Sequence, residues 1–111
     1  MHKFSLDAIS REQLQKATSA PSRRAAETVY GGHERALRQT VIAMVEGTEL
    51  AEHENPGEAT VLVLSGRIRL SAGEVTWDGR QGDLLVIPDS RHALLALTDT
   101  VVLLTVVKSP R

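Results

Sequence analysis

Residues Gly47 to Gly66 read GTELAEHENPGEATVLVLSG, and residues Gly82 to His92 read GDLLVIPDSRH. Each stretch combines glycine and a polar turn with an apolar run rich in valine, leucine and isoleucine, a pattern typical of short β-strands. Each also carries a histidine, His53 in the first stretch and His92 in the second. The two stretches therefore predict a β-structure in which two imidazoles that are distant along the chain come close together.

The region from Leu37 onward contains further apolar, β-prone runs separated by Gly, Pro, Asn and Asp. The predicted strands are Leu37–Val45, Thr60–Leu64, Arg67–Leu70, Glu74–Trp77, Leu84–Ile87, Ala93–Leu97 and Val101–Val107. Short strands without helical periodicity between them are typical of an antiparallel sandwich or barrel.

The N-terminal residues show a different pattern. Ser10 followed by Gln13 has the spacing of a capping box and predicts a short helix from Ser10 to Thr18. Residues 21–27 are interpreted as a solvated linker. We therefore divide the chain into residues 1–27, the N-terminal helix and linker, and residues 28–111, the β-domain.

Composition excludes several classes of function. The chain has 111 residues, enough for one domain, and its 13 Lys and Arg against 14 Asp and Glu give a net charge of -1. Nucleic acid and anionic membranes attract basic surfaces, so neither is expected as a partner. The absence of cysteine excludes disulfides and thiolate chemistry. No signal-peptide core or membrane-length apolar run is apparent, so we expect a cytoplasmic protein.

Side-chain alternation indicates which face of a strand is turned toward the interior. In Leu37 to Glu46 the odd-numbered positions are the more apolar, and we predict that they face the interior. Gln39 has an odd number, so its side chain is predicted to point inward as well. Three other strands, Thr60–Leu64, Leu84–Ile87 and Val101–Val107, are apolar at both parities. The N-terminal helix can cover only part of such an outer face, so we expect a homodimer that packs sheet against sheet.

The two stretches resemble the paired motifs of the cupin family. In the first motif, Gly47 is followed after five residues by His53. In the second, Gly82 is followed after five residues by Pro88, and His92 comes one residue sooner than in the family pattern. The resemblance implies an all-β fold, the cupin double-stranded β-helix or jelly-roll barrel, here with a short N-terminal helix.

The chain departs from the family pattern at several positions. Asn55 stands in the slot of the second histidine, and Ala59 stands in the slot of the glutamate, with Glu58 one position early. In metal-binding cupins the resemblance implies three imidazoles and one carboxylate around a divalent ion. Asparagine is a weak ligand for a transition metal and alanine is none. Strand parity places Glu58 on the outer face, unless the turn before it shifts the register.

Three interpretations of the two histidines follow. The first is a site for Fe, Mn, Zn or Ni held by His53 and His92 with Glu58 or Gln39 and water. The second is a metal-free cavity in which the imidazoles and Asn55 bind a small polar ligand. The third is a structural role, with both rings hydrogen-bonded inside a barrel that has lost its site.

These interpretations correspond to different functions. The favoured hypothesis is a small stand-alone cupin that binds a small polar ligand, with or without the metal; the alternative is a metal-free structural or regulatory cupin. Whether the protein is an enzyme, such as a metal-dependent oxygenase or isomerase, is left open. The candidate ligand-binding residues are Gln39, His53, Asn55, Glu58 and His92, and the candidate metal ligands are His53 and His92.

Overall fold

The computed structural model of the chain describes residues 1–53 and 57–108. Within these residues, one helix precedes nine strands. The elements are α1 (Leu6–Ser19), β1 (Arg24–Tyr30), β2 (Leu37–Met44), β3 (Glu49–His53), β4 (Gly57–Ser65), β5 (Arg67–Ala72), β6 (Val75–Arg80), β7 (Leu84–Val86), β8 (His92–Ala96) and β9 (Thr100–Lys108). All seven strands predicted from the sequence are present. In the described part of the chain no helix has the length and apolar character needed to cross a membrane.

The strands form two antiparallel sheets. The first has the order β1-β2-β9-β4-β7 and the second has the order β3-β8-β5-β6. Buried residues from both sheets, among them Val61 of β4, Leu70 of β5 and Leu94 of β8, belong to one apolar cluster. The two sheets therefore enclose a common core, and the prediction of an all-β barrel with one N-terminal helix is confirmed.

Helix α1 begins earlier than the sequence predicted. Ser5 is its N-cap, and the Ser5 Oγ accepts a hydrogen bond from the Ala8 N–H at 3.2 Å. Ser10 lies inside the helix, so the capping box assigned to Ser10 and Gln13 is wrong. Leu6 belongs to the apolar face of the helix and packs against the sheet, so the helix begins one turn earlier than predicted. Ser5, directly before Leu6, is then in the position of the cap.

The predicted linker is also corrected. Strand β1 covers Arg24–Tyr30 and pairs with β2, so residues 24–27 belong to the first sheet. The segment RAAETVY alternates between half-buried and exposed residues, which is the period of a strand with one covered face. The strand starts at Arg24 and follows directly on Arg23, and this pair of charges conceals the alternation in the sequence.

The C-terminal half of β2 is covered on both faces, and the predicted interior face is wrong. The odd positions Val41, Ala43 and Val45 pack against α1, on the outside of the barrel. The even positions Ile42 and Met44 pack into the core between the sheets. Because α1 covers the outer side of β2, alternation in the sequence does not distinguish the face toward the helix from the face toward the barrel.

Gly66 makes the tight connection between β4 and β5. Its φ of 84° lies in the left-handed region, which favours glycine. A Cβ on Gly66 would collide with the carbonyl oxygen of Asp99 and would lie 2.5 Å from the Thr100 Oγ1. The turn therefore needs glycine for two reasons, its backbone conformation and the close approach of the chain before β9.

The outer face of the first sheet is covered unevenly. Helix α1 packs on the side that contains Val101 and Leu103 of β9. In contrast, Leu84 and Val86 of β7 remain 62% and 65% exposed. The helix therefore covers only part of this apolar face, as the sequence predicted.

Candidate functional site

The backbone brings His53 and His92 together. They are Cα partners in the antiparallel pair β3–β8, in which Glu49 pairs with Leu95 and Leu50 pairs with Leu94. The register shifts by one residue between Leu50 and His53. A regular ladder from Leu50 would place residue 52 opposite His92, so the irregularity is what brings a histidine to that position. The sequence-based expectation that these two histidines approach each other thus agrees with the backbone register.

His92 lies at the start of β8 and is only 3% exposed. Its burial follows from strand alternation, because His92, Leu94 and Ala96 all face the core. The His92 Nδ1 lies 3.0 Å from the carbonyl oxygen of Ser90. A carbonyl oxygen only accepts, so Nδ1 carries the hydrogen and the neutral ring has its lone pair on Nε2. The Ser90 carbonyl thereby determines the orientation and the tautomer of the ring.

A small cavity lies beside this ring, inside the barrel. Its volume is about 30 Å³, enough for roughly two water molecules. Of the side chains that the structure describes, its walls contain one polar group, His92, and eight apolar ones: Ile42, Leu50, Val61, Leu70, Ile87, Leu94, Val102 and Leu104. The cavity is therefore an apolar chamber with an imidazole on one wall.

The other predicted site residues are not brought to this chamber by the described structure. Gln39 lies on the outer face of β2, where its Nε2 donates to the Thr105 Oγ1 at 3.2 Å. Glu58 is exposed on β4 and its neighbour Ala59 is buried in the core. The turn before β4 therefore does not bring the Glu58 side chain to the inner face. Asn55 lies outside the described residues. The prediction that Gln39 points inward is therefore corrected, for the same reason as the β2 face.

The apolar walls of the chamber were not recognised from the sequence. Ile42 comes from the even face of β2, which the sequence analysis assigned to solvent. Leu94 could have been found, because it lies two residues after His92 and so shares its face. Leu104 lies in a strand that is apolar at both parities, where alternation carries no information about the interior.

A metal centre of the cupin type needs several ligands that converge on one ion. Transition-metal sites in proteins generally take three or four side-chain ligands. The described residues include no group of three His, Cys, Asp or Glu side chains that would hold an ion. The slot of the carboxylate holds the buried methyl group of Ala59, and Glu58 is on the outside. The described residues therefore do not fit such a metal centre.

Comparison with known proteins identifies the fold family. The family model described as Cupin domain matches residues 40–108. No curated protein matches the sequence. The chain is similar to the crystal structure of a conserved protein of unknown function from Streptococcus pyogenes, with 29% identity over 83% of this chain and 80% of that chain and a TM-score of 0.73.

Two other solved structures have the same fold. An RmlC-like cupin protein from Desulfovibrio desulfuricans is 26% identical over 76% of this chain and 81% of that chain, with a TM-score of 0.66. A cupin superfamily protein from Desulfitobacterium hafniense is 16% identical over 78% of each chain, with a TM-score of 0.72. At this lower identity the likeness concerns the fold alone.

Proposed function

This chain belongs to the cupin family, and from that premise we propose that it binds a compact small molecule inside its barrel, without a metal ion. The enclosed part of the ligand has a largely apolar body and one polar group directed at His92. Binding, rather than catalysis, is the proposed function.

The observation that carries this proposal is the composition of the chamber walls. Ligand pockets typically combine apolar walls with a few polar groups that orient the ligand. Here the described walls are apolar except for His92. A strongly polar molecule would lose its hydration against leucine, valine and isoleucine without compensating hydrogen bonds. The walls therefore favour a less polar ligand than the sequence suggested.

The ring of His92 defines the polar group of this ligand. Since Nδ1 donates to the Ser90 carbonyl at 3.0 Å, the neutral ring accepts at Nε2. We infer that the polar group of the ligand is one that pairs with an imidazole ring, such as a hydroxyl or an amide N–H. The register partner His53 adds a second histidine position at the same end of the strand pair.

Two observations favour binding over catalysis. General acid–base chemistry normally uses a second titratable or nucleophilic group within reach of the first. Among the described side chains of the chamber walls, His92 is the one titratable group. The described residues also do not fit a metal centre that would supply Lewis-acid chemistry.

The proposal is tested with two ligands that differ in polarity, xenon and methanol. Xenon occupies small apolar cavities and makes no hydrogen bonds, whereas methanol adds a hydroxyl donor to one methyl group and has only two heavy atoms, as a cavity of about 30 Å³ requires. Methyl NMR would follow both titrations through Val61, Leu94 and Leu104, which line the chamber. We expect both ligands to shift these signals in the wild-type protein.

The variant His92→Phe keeps a ring of similar size and removes the acceptor. We expect its affinity for methanol to fall about fivefold to tenfold, the worth of one buried hydrogen bond. Xenon binding should remain, which also shows that the variant is folded. His33→Phe is the matched control, because His33 is exposed and lies outside the chamber. Equal methanol affinity in both variants, or no response of the chamber methyls to either ligand, would refute the proposal.

A further inference from the structure

Two of the three aromatic residues of this chain lie at one groove. The sequence contains one Phe, one Tyr and one Trp. Both Phe4 and Tyr30 line a groove of about 270 Å³ beside β1, the first strand in the order of the first sheet. His2 and Arg35 line the same groove. We propose that this groove binds a small planar aromatic carboxylate, with its ring against the aromatic side chains and its carboxylate on Arg35.

The rings at this groove are arranged in pairs that leave much of their surface open. The ring centroids of His2 and Phe4 lie 6.4 Å apart, with an angle of 22° between the ring planes. The guanidinium carbon of Arg35 lies 5.5 Å from the centroid of the Tyr30 ring. Phe4 and Tyr30 nevertheless remain 48% and 39% exposed. Because ring pairs attract each other beyond the area that they bury, this surface favours a ligand that contains an aromatic ring.

Arg35 determines the charge of the ligand. The described residues that line the groove include no acidic side chain. Within residues 1–53 and 57–108, no carboxylate forms an ion pair with Arg35, whose Nη1 donates to the Tyr30 hydroxyl at 3.4 Å. A guanidinium has several N–H donors in one plane, and a carboxylate can accept from two of them at once. The carboxylate of benzoate is also coplanar with its ring, so one flat molecule can meet both the rings and the guanidinium.

An irregularity in the first sheet brings successive side chains of β1 to this groove. Thr28 pairs with Thr40, but Tyr30 pairs with Gln39, so Val29 is an extra residue in β1. Thr28, Val29 and Tyr30 all line the groove, whereas successive side chains of a regular strand point to opposite faces. Bulges of this kind re-aim side chains at sheet edges and beside binding sites. The bulge therefore explains how Tyr30 reaches the groove together with its neighbours.

The loop that carries Arg35 is anchored by backbone hydrogen bonds. The Arg35 N–H donates to the Gly32 carbonyl at 3.3 Å, and the Ala36 carbonyl accepts from the Lys108 N–H at 3.0 Å. A group that is already held in place loses less conformational freedom when a ligand binds. The backbone at Arg35 is therefore ordered before the ligand arrives.

The volume of the groove limits the size of the ligand. Pockets for drug-sized molecules begin at about 300 Å³, so a groove of about 270 Å³ suits a molecule with a single ring. None of the described residues that line this groove also lines the chamber beside His92. The proposal is therefore independent of the function proposed for the chamber.

The separate contributions of ring and charge are tested with benzoate, benzamide and cyclohexanecarboxylate. Benzamide keeps the aromatic ring without the negative charge, and cyclohexanecarboxylate keeps the charge without the aromatic face. Phe4 and Tyr30 are the single Phe and the single Tyr of the chain, so their ring signals in NMR report on the groove without ambiguity. We expect benzoate to shift both sets of signals saturably, and we expect each of the other ligands to bind about fivefold or more weakly.

The variant Arg35→Gln removes the charge and keeps a planar amide. We expect it to bind benzoate about fivefold or more weakly than the wild-type protein does, while its affinity for benzamide stays the same. Arg11→Gln is the matched control, because Arg11 is also exposed and lies on α1, outside the groove. Equal affinity of both variants for benzoate, equal binding of the three ligands by the wild-type protein, or no saturable shift with benzoate would each overturn the proposal.

Discussion

His53 and His92 oppose each other across the β3–β8 pair because of an irregularity in β3. Two residues separate Leu50 from His53, whereas one residue separates their partners Leu94 and His92. The chamber next to His92 has apolar walls, and the carbonyl of Ser90 orients the ring. The site is therefore a local backbone irregularity combined with an apolar interior. Its chemistry is that of a single oriented imidazole, with a second histidine position opposite.

The first prediction concerns metal content. The described residues offer no third ligand near His92, and a methyl group occupies the slot of the carboxylate. We expect protein purified without an affinity tag to contain far less than one equivalent of Fe, Mn, Zn or Ni, as measured by inductively coupled plasma mass spectrometry. Near-stoichiometric metal that disappears in both His53→Ala and His92→Ala would show that the metal interpretation was right.

The second prediction concerns the turn at Gly66. In Gly66→Ala the new Cβ would collide with the backbone at Asp99 and Thr100, in addition to the strain of a φ of 84°. We expect the free energy of unfolding to fall by about 3 kcal/mol. Urea denaturation would measure it.

Gly73→Ala is the matched control for this change. Gly73 has a φ of 61°, but no atom lies within 4 Å of a Cβ built there. Its cost should be about 1 kcal/mol, the conformational part alone. Equal losses in the two variants would mean that the contact with the chain at Asp99 has no energetic effect.

The third prediction concerns the start of α1. The Ser5 Oγ accepts from the Ala8 N–H at 3.2 Å and caps the helix that covers β2. We expect Ser5→Ala to lower the free energy of unfolding by about 1 kcal/mol. Ser5→Asp should retain the stability, since aspartate is an equally good cap and also interacts favourably with the helix dipole. Ser10→Ala, inside the helix, should change the free energy of unfolding much less than Ser5→Ala. A larger loss for Ser10→Ala than for Ser5→Ala would argue for a helix start at Ser10.

The fourth prediction concerns pH. The hydrogen bonds from Arg69 lower the pKa of the Asp78 carboxyl below its ordinary value, and the positive charges of Arg69 and Arg67 act in the same direction. Such a group stabilises the folded state above its ordinary pKa and loses this contribution as the pH falls through its lowered value. We expect Asp78→Asn to lower the urea midpoint slightly at pH 7, and we expect this difference to shrink as the pH falls below the ordinary carboxyl pKa of about 4.

The size of this pH effect is limited by solvent. Both side chains are more than two-fifths exposed, so the pair is screened by water and salt. The difference should therefore shrink further in high salt. Asp89→Asn is the control, because Asp89 is also exposed. A pH-independent difference between wild type and Asp78→Asn would mean that the substitution acts through packing rather than charge.

The positions of the strands were largely predictable from the sequence. Runs such as Thr60–Leu64 and Val101–Val107 combine β-branched residues with Gly, Asp or Asn at their ends, and both form strands in the structure. These are local signals, since turn residues and side-chain alternation act over a few positions. The missed strand β3, with the sequence ELAEH, has little β-branched character and depends on its pairing with β8.

The tertiary structure decided what faces the chamber. The alternation of apolar and polar residues divides a strand into two faces, but it identifies the interior face only when the other face is exposed to solvent. In the second half of β2 both faces are shielded from solvent, because α1 covers Val41 and Ala43 while Ile42 faces the barrel interior. Gln39 consequently lies outside, and a leucine-rich wall takes the place of the predicted polar one.

The sequence by itself determined the positions of most strands and, through its two motifs, the cupin family of the barrel, because these features depend on residues close to one another in the chain. Tertiary structure decided the register that opposes the two histidines, the face of β2 that is inside and the groove that Phe4 and Tyr30 share. These depend on which segments pack together, and the free energy of that packing is shared among residues far apart in sequence.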